Sequence, residues 1–261
     1  MLLKAYSDIS RGLAMYPIWW GLAWLEIKLR YSRSVIGPFW ITLSMGIMIC
    51  AMGPLYGALF GQNVSSYIRH LAISLIIWSF ISSCINEAGG VFVGAESYIK
   101  QVSLPLSIYV FKLITKNLLM LAHNAVVGVF VLVFIPPDHF EAILLAPIGL
   151  LLVVANMFWF TLLVGMFSTR FRDVPQLIIN IVQVMFFMSP IMWTVDMLSP
   201  SMRLLADFNP IYHLIEVVRA PLLGAEIHIL NWAFSIALLL FGSLLTFISF
   251  VRYRARVAYW L

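Results

Sequence analysis

The sequence predicts an all-α membrane protein with six transmembrane helices, and three observations predict it. First, 62% of its 261 residues are hydrophobic and 10% charged, with mean hydropathy +0.99. A soluble domain carries about 25% charged residues, so so few charges cannot cover a water-facing surface. That excludes a soluble globular enzyme, a nucleic-acid-binding protein and a disordered tail. Second, charge-free or nearly charge-free runs long enough to cross a hydrocarbon core recur along the chain. They lack the period-2 alternation of barrel strands, and backbone in lipid must satisfy its own hydrogen bonds, so helices follow. Third, Lys and Arg divide thirteen to three between alternate loops. The positive-inside rule then puts both termini in the cytoplasm, as an even number of spans requires. The net charge of +5 and pI near 9.3 fit either this topology signal or a face toward anionic lipid.

The elements follow in chain order. The opening MLLKAYSDISRGLAMYP has no long apolar run and no small-residue cleavage site, so no cleaved signal peptide is expected. Residues 17–33, PIWWGLAWLEIKLRYSR, begin with a proline suited to a first helical position. Ile18, Leu22, Leu25 and Leu29 recur at helical spacing, with Glu26, Lys28, Arg30 and Arg33 mostly off that stripe. This reads as an amphipathic interface helix anchored by Trp19, Trp20 and Trp24, either a plain anchor or one that also touches a cytoplasmic partner. Spans are expected at 36–60, 70–95, 110–135, 143–168, 175–195 and 228–251. Residues 96–106, polar at first and bounded by Pro105, sit in an inner loop and read as a short surface helix or a solvated loop. Residues 196–226 are apolar but broken by Pro200, Asn209-Pro210 and Pro221, into pieces shorter than a span. Such pieces are re-entrant or interfacial, and the charge count puts them outside. They read as an outer gate or as a cap packed on the bundle, with Pro190, Asn209 and Pro210 as the gate residues.

Little in the chain suggests covalent chemistry. A P-loop reads GxxxxGK[ST], and none of Lys4, Lys28, Lys100, Lys112 or Lys116 follows Gly or precedes Ser or Thr. Cys50 and Cys84 lie in apolar runs and suggest neither a disulfide framework nor a metal site. Glu87 is the one carboxylate deep within a span, and such a charge faces a cavity or a partner. His123 reads as hydrogen-bonded packing or a proton relay. Gly90 and Gly94 form a GxxxG that permits close helix contact. Of the many aromatics, Phe39, Trp40, Tyr56 and Trp78, with Phe186, Phe187, Trp193 and Tyr212, are candidates to line a path on which sugar rings stack.

Four segments carry a family resemblance. EIKLRYSRSVIGPFW at 26–40 and IIWSFISSCINEAGGVFVGAESYIKQVSLPLSIYVFK at 76–112 resemble polysaccharide-export permeases of the type-2 ABC exporter superfamily. So do FSTRFRDVPQLIINIVQVMFFMSPIMW at 167–193 and FNPIYHLIEVVRAPLLG at 208–224. The resemblance runs over nearly the whole chain in order. It is strongest to the O-antigen (lipopolysaccharide) export branch; teichoic acid permeases share the plan, and capsule-export permeases differ more around 26–40. It implies a homodimer in the bacterial inner membrane with two copies of a separate ATPase, which binds ATP and Mg and leaves this chain without a cofactor. It implies that 96–106 is a coupling helix, with Glu96, Ser97, Tyr98, Lys100, Leu104 and Pro105 as its contact residues, and that 196–226 holds re-entrant gate helices. The implied substrate is a polysaccharide on an undecaprenyl diphosphate carrier. Arg30, Arg33, Arg170 and Arg172 suit the diphosphate, because guanidinium pairs bidentately with phosphate; the reading of each as a positive-inside determinant takes precedence on sequence alone. An ion-coupled transporter would need more intramembrane carboxylates than Glu87 and inverted repeats. A membrane-embedded polyprenyl transferase would need clustered acidic or His residues at one face.

Overall fold

The computed structural model describes residues 2–137, 139 and 141–261, and among them no strand occurs. Eleven α-helices follow one another: α1 (Leu2–Ala14), α2 (Tyr16–Arg30), α3 (Phe39–Leu59), α4 (Val64–Ala88), α5 (Glu96–Gln101), α6 (Ser107–Phe134), α7 (Leu145–Arg170), α8 (Val174–Met188), α9 (Pro200–Asp207), α10 (Pro210–Leu223) and α11 (Ile229–Trp260). Five of them, α3, α4, α6, α7 and α11, are long and apolar enough to cross a membrane.

The central helix is α4. Two thirds of its apolar window is buried inside the protein, against about a tenth for α3. Tyr67, Leu71, Phe80 and Ile81 on α4 are fully enclosed, and α3, α6, α7, α8 and α10 surround it. Asn63 starts α4 by accepting a hydrogen bond from the Ser66 N–H at 3.1 Å, which satisfies a donor the first turn leaves free. By contrast α3 presents Leu43, Ile47, Leu55 and Leu59 outward. On a membrane-embedded chain such a face meets lipid or another subunit.

The segment expected to span at 175–195 behaves differently. Its helix, α8, has 15 residues, about 22 Å at 1.5 Å per residue, against a core of about 30 Å. Pro190 stops it: the residue before a proline is pushed out of the helical region, and Ser189 is extended at φ −93°, ψ 144°. Four further differences are local. The opening segment is helical (α1), with Ala5, Asp8 and Gly12 on its buried face. The helix in the inner loop stops at Gln101; Val102 is extended, and its carbonyl accepts from the Leu104 N–H at 2.9 Å in a tight turn before Pro105. The long C-terminal helix continues through the arginine tail to Trp260. Gly90 and Gly94 lie in turn and 3-10 conformation just past α4, so they form no helical seam.

Residues 196–226 form two helices of 8 and 14 residues joined at Phe208-Asn209. Asn209 caps α10 by accepting from the Ile211 and Tyr212 N–H groups, and Pro210 supplies the fixed φ of the first turn. Gly224 closes α10 at φ +64°, a conformation glycine adopts without strain. Gly149 lets α7 approach α10 closely: a Cβ there would lie 2.1 Å from the Val217 carbonyl oxygen.

Candidate functional site

Three charged constellations punctuate this apolar bundle. The first is a cleft of about 550 Å³ between the C-terminal ends of α2 and α4 and the N-terminal part of α6, bounded by Pro175 at the start of α8. Lys112 and Lys116 are one helical turn apart on α6, so both reach the same wall. Glu26 of α2 accepts from the Lys112 ammonium and from that of Lys116, each at 2.8 Å. Lys116, nearly buried, also meets Glu87 of α4 at 2.7 Å. The Asn117 amide donates to Glu87 at 3.1 Å. Arg30 stands 3.9 Å from Glu87 and remains exposed. Burial alone would raise the Glu26 carboxyl, but the bonds and charges of Lys112 and Lys116 outweigh it and bring it down to about 2. The cleft thus holds three cations and two carboxylates, and Arg30 is the cation held least closely.

The second constellation clamps α1, the start of α6 and the C-terminal part of α11 together. Asp8, fully buried on α1, accepts from the backbone N–H groups of Leu106 and Ser107 at 3.1 and 3.0 Å and so caps α6. Arg254 of α11 donates to the same carboxylate at 2.6 Å. The Ser107 hydroxyl returns a bond to the Asp8 carbonyl at 2.8 Å. The segment just before this clamp is α5 and the turn after it. Ser97, Tyr98 and Lys100 are exposed, and Lys100 pairs with Glu96 at 2.7 Å. That bond, with the charges of Lys100 and Arg172, lowers the Glu96 carboxyl. Leu104 and Pro105 lie against α1 around Asp8 and Arg254.

The third lies at the opposite end of the bundle. Arg219 of α10 is buried and donates to Ser74 of α4 at 2.8 Å, to the Pro190 carbonyl at 2.6 Å and to Glu216. Asn209 donates to the Ser189 hydroxyl at 2.9 Å and to the Met188 carbonyl at 3.3 Å. The Tyr67 hydroxyl donates to the Met192 carbonyl at 2.6 Å. The break after α8 is therefore tied to α4 and α10 together, and Pro190, Asn209 and Pro210 meet at one junction. Beside it lies a polar cavity of about 420 Å³ lined by His70, Asp196, Arg203, Tyr212, Glu216 and Arg219, among others.

The remaining candidates are dispersed. Of the four arginines, only Arg30 lines the inner cleft. Arg33 is exposed just beyond α2. Arg170, at the end of α7, lies over the rings of Phe171 and Trp260 at about 5.5 Å. Arg172 is exposed in the turn before α8, near Glu96, and among the described residues it makes no ion pair with Asp173. The aromatic candidates fall into separate groups. Trp78 packs on Phe186, which meets Phe187, whose carbonyl accepts from the Trp193 indole. Tyr56 packs on Phe60. Phe39 and Trp40 are exposed at the start of α3, and Tyr212 is buried beside the outer cavity.

Sequence reasoning singled out Glu87, Pro190 and Pro210 but missed Asp8, the pairing of Glu26 with two lysines, and the Glu216–Arg219 pair. The spacings Ala5–Asp8–Gly12, Lys112–Lys116 and Glu216–Arg219 were the available signals, each placing its members on one helix face.

The description "ABC-2 type transporter" matches residues 18–223. A Klebsiella pneumoniae protein named O-antigen export system permease protein RfbA is 20% identical over 225 residues, covering 86% of this chain and 86% of its own. A second protein of that name from the same organism is 20% identical over 191 residues, covering 73% and 74%. The matched region contains all three constellations except Asp8 and Arg254. With five helices able to cross a bilayer and a family match over most of its length, this chain is a multi-pass membrane protein that belongs to the ABC-2 type transporter family.

Proposed function

We propose that the chain is the transmembrane permease subunit of an ATP-driven exporter that moves undecaprenyl-diphosphate-linked polysaccharide, of the O-antigen class, across the bacterial inner membrane. The observation that carries this reading is the family match over 18–223 together with relatives named as O-antigen export permeases. In this reading the active unit is a homodimer with both termini cytoplasmic. Two copies of a separate ATPase bind ATP and Mg, and this chain supplies the path.

The three constellations suit a relay between partner and path. The exposed face of α5 receives the ATPase. Its backward connection runs through the turn at 89–95 to Glu87, and its forward connection runs through Pro105 to the Asp8 clamp. A displacement of α5 therefore bears on both walls of the inner cleft. Arg30, with Lys112 and Lys116 beside it, meets the carrier diphosphate there, while Arg33, Arg170 and Arg172 supply the surrounding positive surface. At the outer end α9 and α10 dip into the bilayer without crossing, and the Asn209 and Arg219 bonds hold the exit shut. The irregular segment after α8, with its short 3-10 turn at Val195–Met197, completes the sixth crossing.

The test is co-purification. Expressed with an ABC ATPase subunit from the same genome, the tagged chain should retain that subunit in mild detergent at a one-to-one ratio. A chain that transports with no ATPase bound contradicts the reading.

A further inference from the structure

We infer that one face of α6 carries a head-and-tail site for the polyprenyl diphosphate itself: the inner cleft for the diphosphate, and a groove between α3 and α6 for one isoprenoid chain. This rests on the proposed export of a polyprenyl-linked substrate and adds to it where the lipid lies.

The groove is a separate opening of about 460 Å³. Thr42, Gly46 and Cys50 of α3 form one wall, and Val127, Phe130 and Phe134 of α6 form much of the other. Its exposed surface is almost wholly apolar, and the Thr42 hydroxyl is turned to the His123 carbonyl at 2.9 Å. Gly46 leaves space: a Cβ there would meet nothing within 4 Å.

The two openings share a face. Lys112, Lys116, Met120, Val127, Phe130 and Phe134 follow at intervals of three, four or seven residues, so they form one stripe on α6. Between the openings, Arg30 of the cleft reaches Met120, with its Nη1 4.0 Å from the Sδ. A ligand with its charge at Lys116 and its chain along Val127 extends over about 16 Å of α6.

Two features favour a polyprenyl diphosphate over a bilayer phospholipid. The groove lies mainly between α3 and α6, with Ile68 of α4 also lining it, and takes one chain, whereas a diacyl lipid brings two. The cleft has three cations against two carboxylates, with Arg30 held least closely, and a diphosphate presents more negative charge to this net positive site than a phosphodiester does. Lipid tails are as apolar as the groove, so its preference comes from packing, and filling the groove removes it.

Cys50 reports on the groove without mutation. It is exposed there, whereas Cys84 is buried in the core. The complex with its ATPase, in detergent, is treated with N-ethylmaleimide, and modification at Cys50 is followed by mass spectrometry. Undecaprenyl diphosphate at ten times its Kd should slow the reaction about tenfold. Inorganic diphosphate and dioleoyl phosphatidylglycerol at equal concentration should not slow it. Gly46→Leu should lower affinity for undecaprenyl diphosphate about tenfold without changing affinity for inorganic diphosphate. Equal protection by phosphatidylglycerol overturns the proposal in favour of an ordinary bilayer lipid. A Cys50 already shielded in the lipid-free complex overturns it in favour of a second protein copy over the groove. Undecaprenyl diphosphate binding that depends on Arg30 but ignores Gly46→Leu and leaves Cys50 reactive overturns the groove while the export reading survives. No binding of any diphosphate defeats both.

Discussion

Lys116 is the residue on which the inner cleft turns, because its ammonium serves two carboxylates from two other helices. Removing it leaves partly exposed Glu87 with only the more distant Arg30 and an amide, and losing a charge-assisted bond of this kind costs about 1.5–3 kcal/mol. Lys116→Met should therefore lower the thermal stability of the purified complex markedly. Adding Glu87→Gln should recover much of the loss, and a double-mutant cycle measures how much. Glu26 sets the pH window of the same cluster. Its carboxyl is depressed to about 2 by the two lysines, so its contribution is fully present above its unfolded value near 4.5 and is lost as pH falls toward 2. Melting temperature should be insensitive to Glu26→Gln only in strong acid and should fall in that variant at pH 6–8. Glu87 was legible in the sequence because a carboxylate inside an apolar run is conspicuous. Its pairing with Lys116 was not, because that lysine sits in a loop-proximal stretch where charge also sets topology. Asp8 was harder still. It belongs to an opening segment without a long apolar run, and its partners lie far along the chain at Ser107 and Arg254.

At the scale of elements, composition located the long helices, and tertiary geometry decided the short ones. The spans carried by α3, α4, α6, α7 and α11 announce themselves by hydropathy. The early stop of α8 was encoded in Ser189-Pro190, and the end of α5 in Val102–Pro105, yet both were masked by the apolar sequence around them. The mistaken GxxxG reading has the same origin, since glycines at that spacing make a seam only while the helix continues. Close contact of α7 with α10 depends instead on Gly149. Gly149→Leu puts side-chain atoms into the Val217 backbone, and overpacking of this kind costs about 1–3 kcal/mol. We expect it to loosen α10 and to raise protease sensitivity near Gly224. The coupling role of α5 makes a different prediction. Tyr98→Asp and Lys100→Glu alter its exposed face and should leave insertion and folding intact while uncoupling ATP turnover from transport. Normal coupling in both variants removes α5 from the relay.

At the scale of the molecule, charge gathers at the two ends of an apolar bundle with little between them. The inner end holds the cleft and the clamp, and the outer end holds the Arg219 junction. If α9 and α10 dip without crossing, Ser201→Cys and Ala225→Cys should both react with a membrane-impermeant maleimide added outside and neither with reagent confined to the cytoplasmic side. Labelling of either from within would invert the hairpin. The direction of transport is the central claim, and inside-out membrane vesicles test it most directly. Vesicles containing this chain and its ATPase are loaded on their outer, cytoplasmic face with undecaprenyl-diphosphate-linked glycan, and the glycan reaching the lumen is measured. The account predicts accumulation that requires ATP hydrolysis and falls severely in Arg30→Ala. Accumulation that proceeds without ATP, or that follows an imposed proton gradient instead, would contradict it.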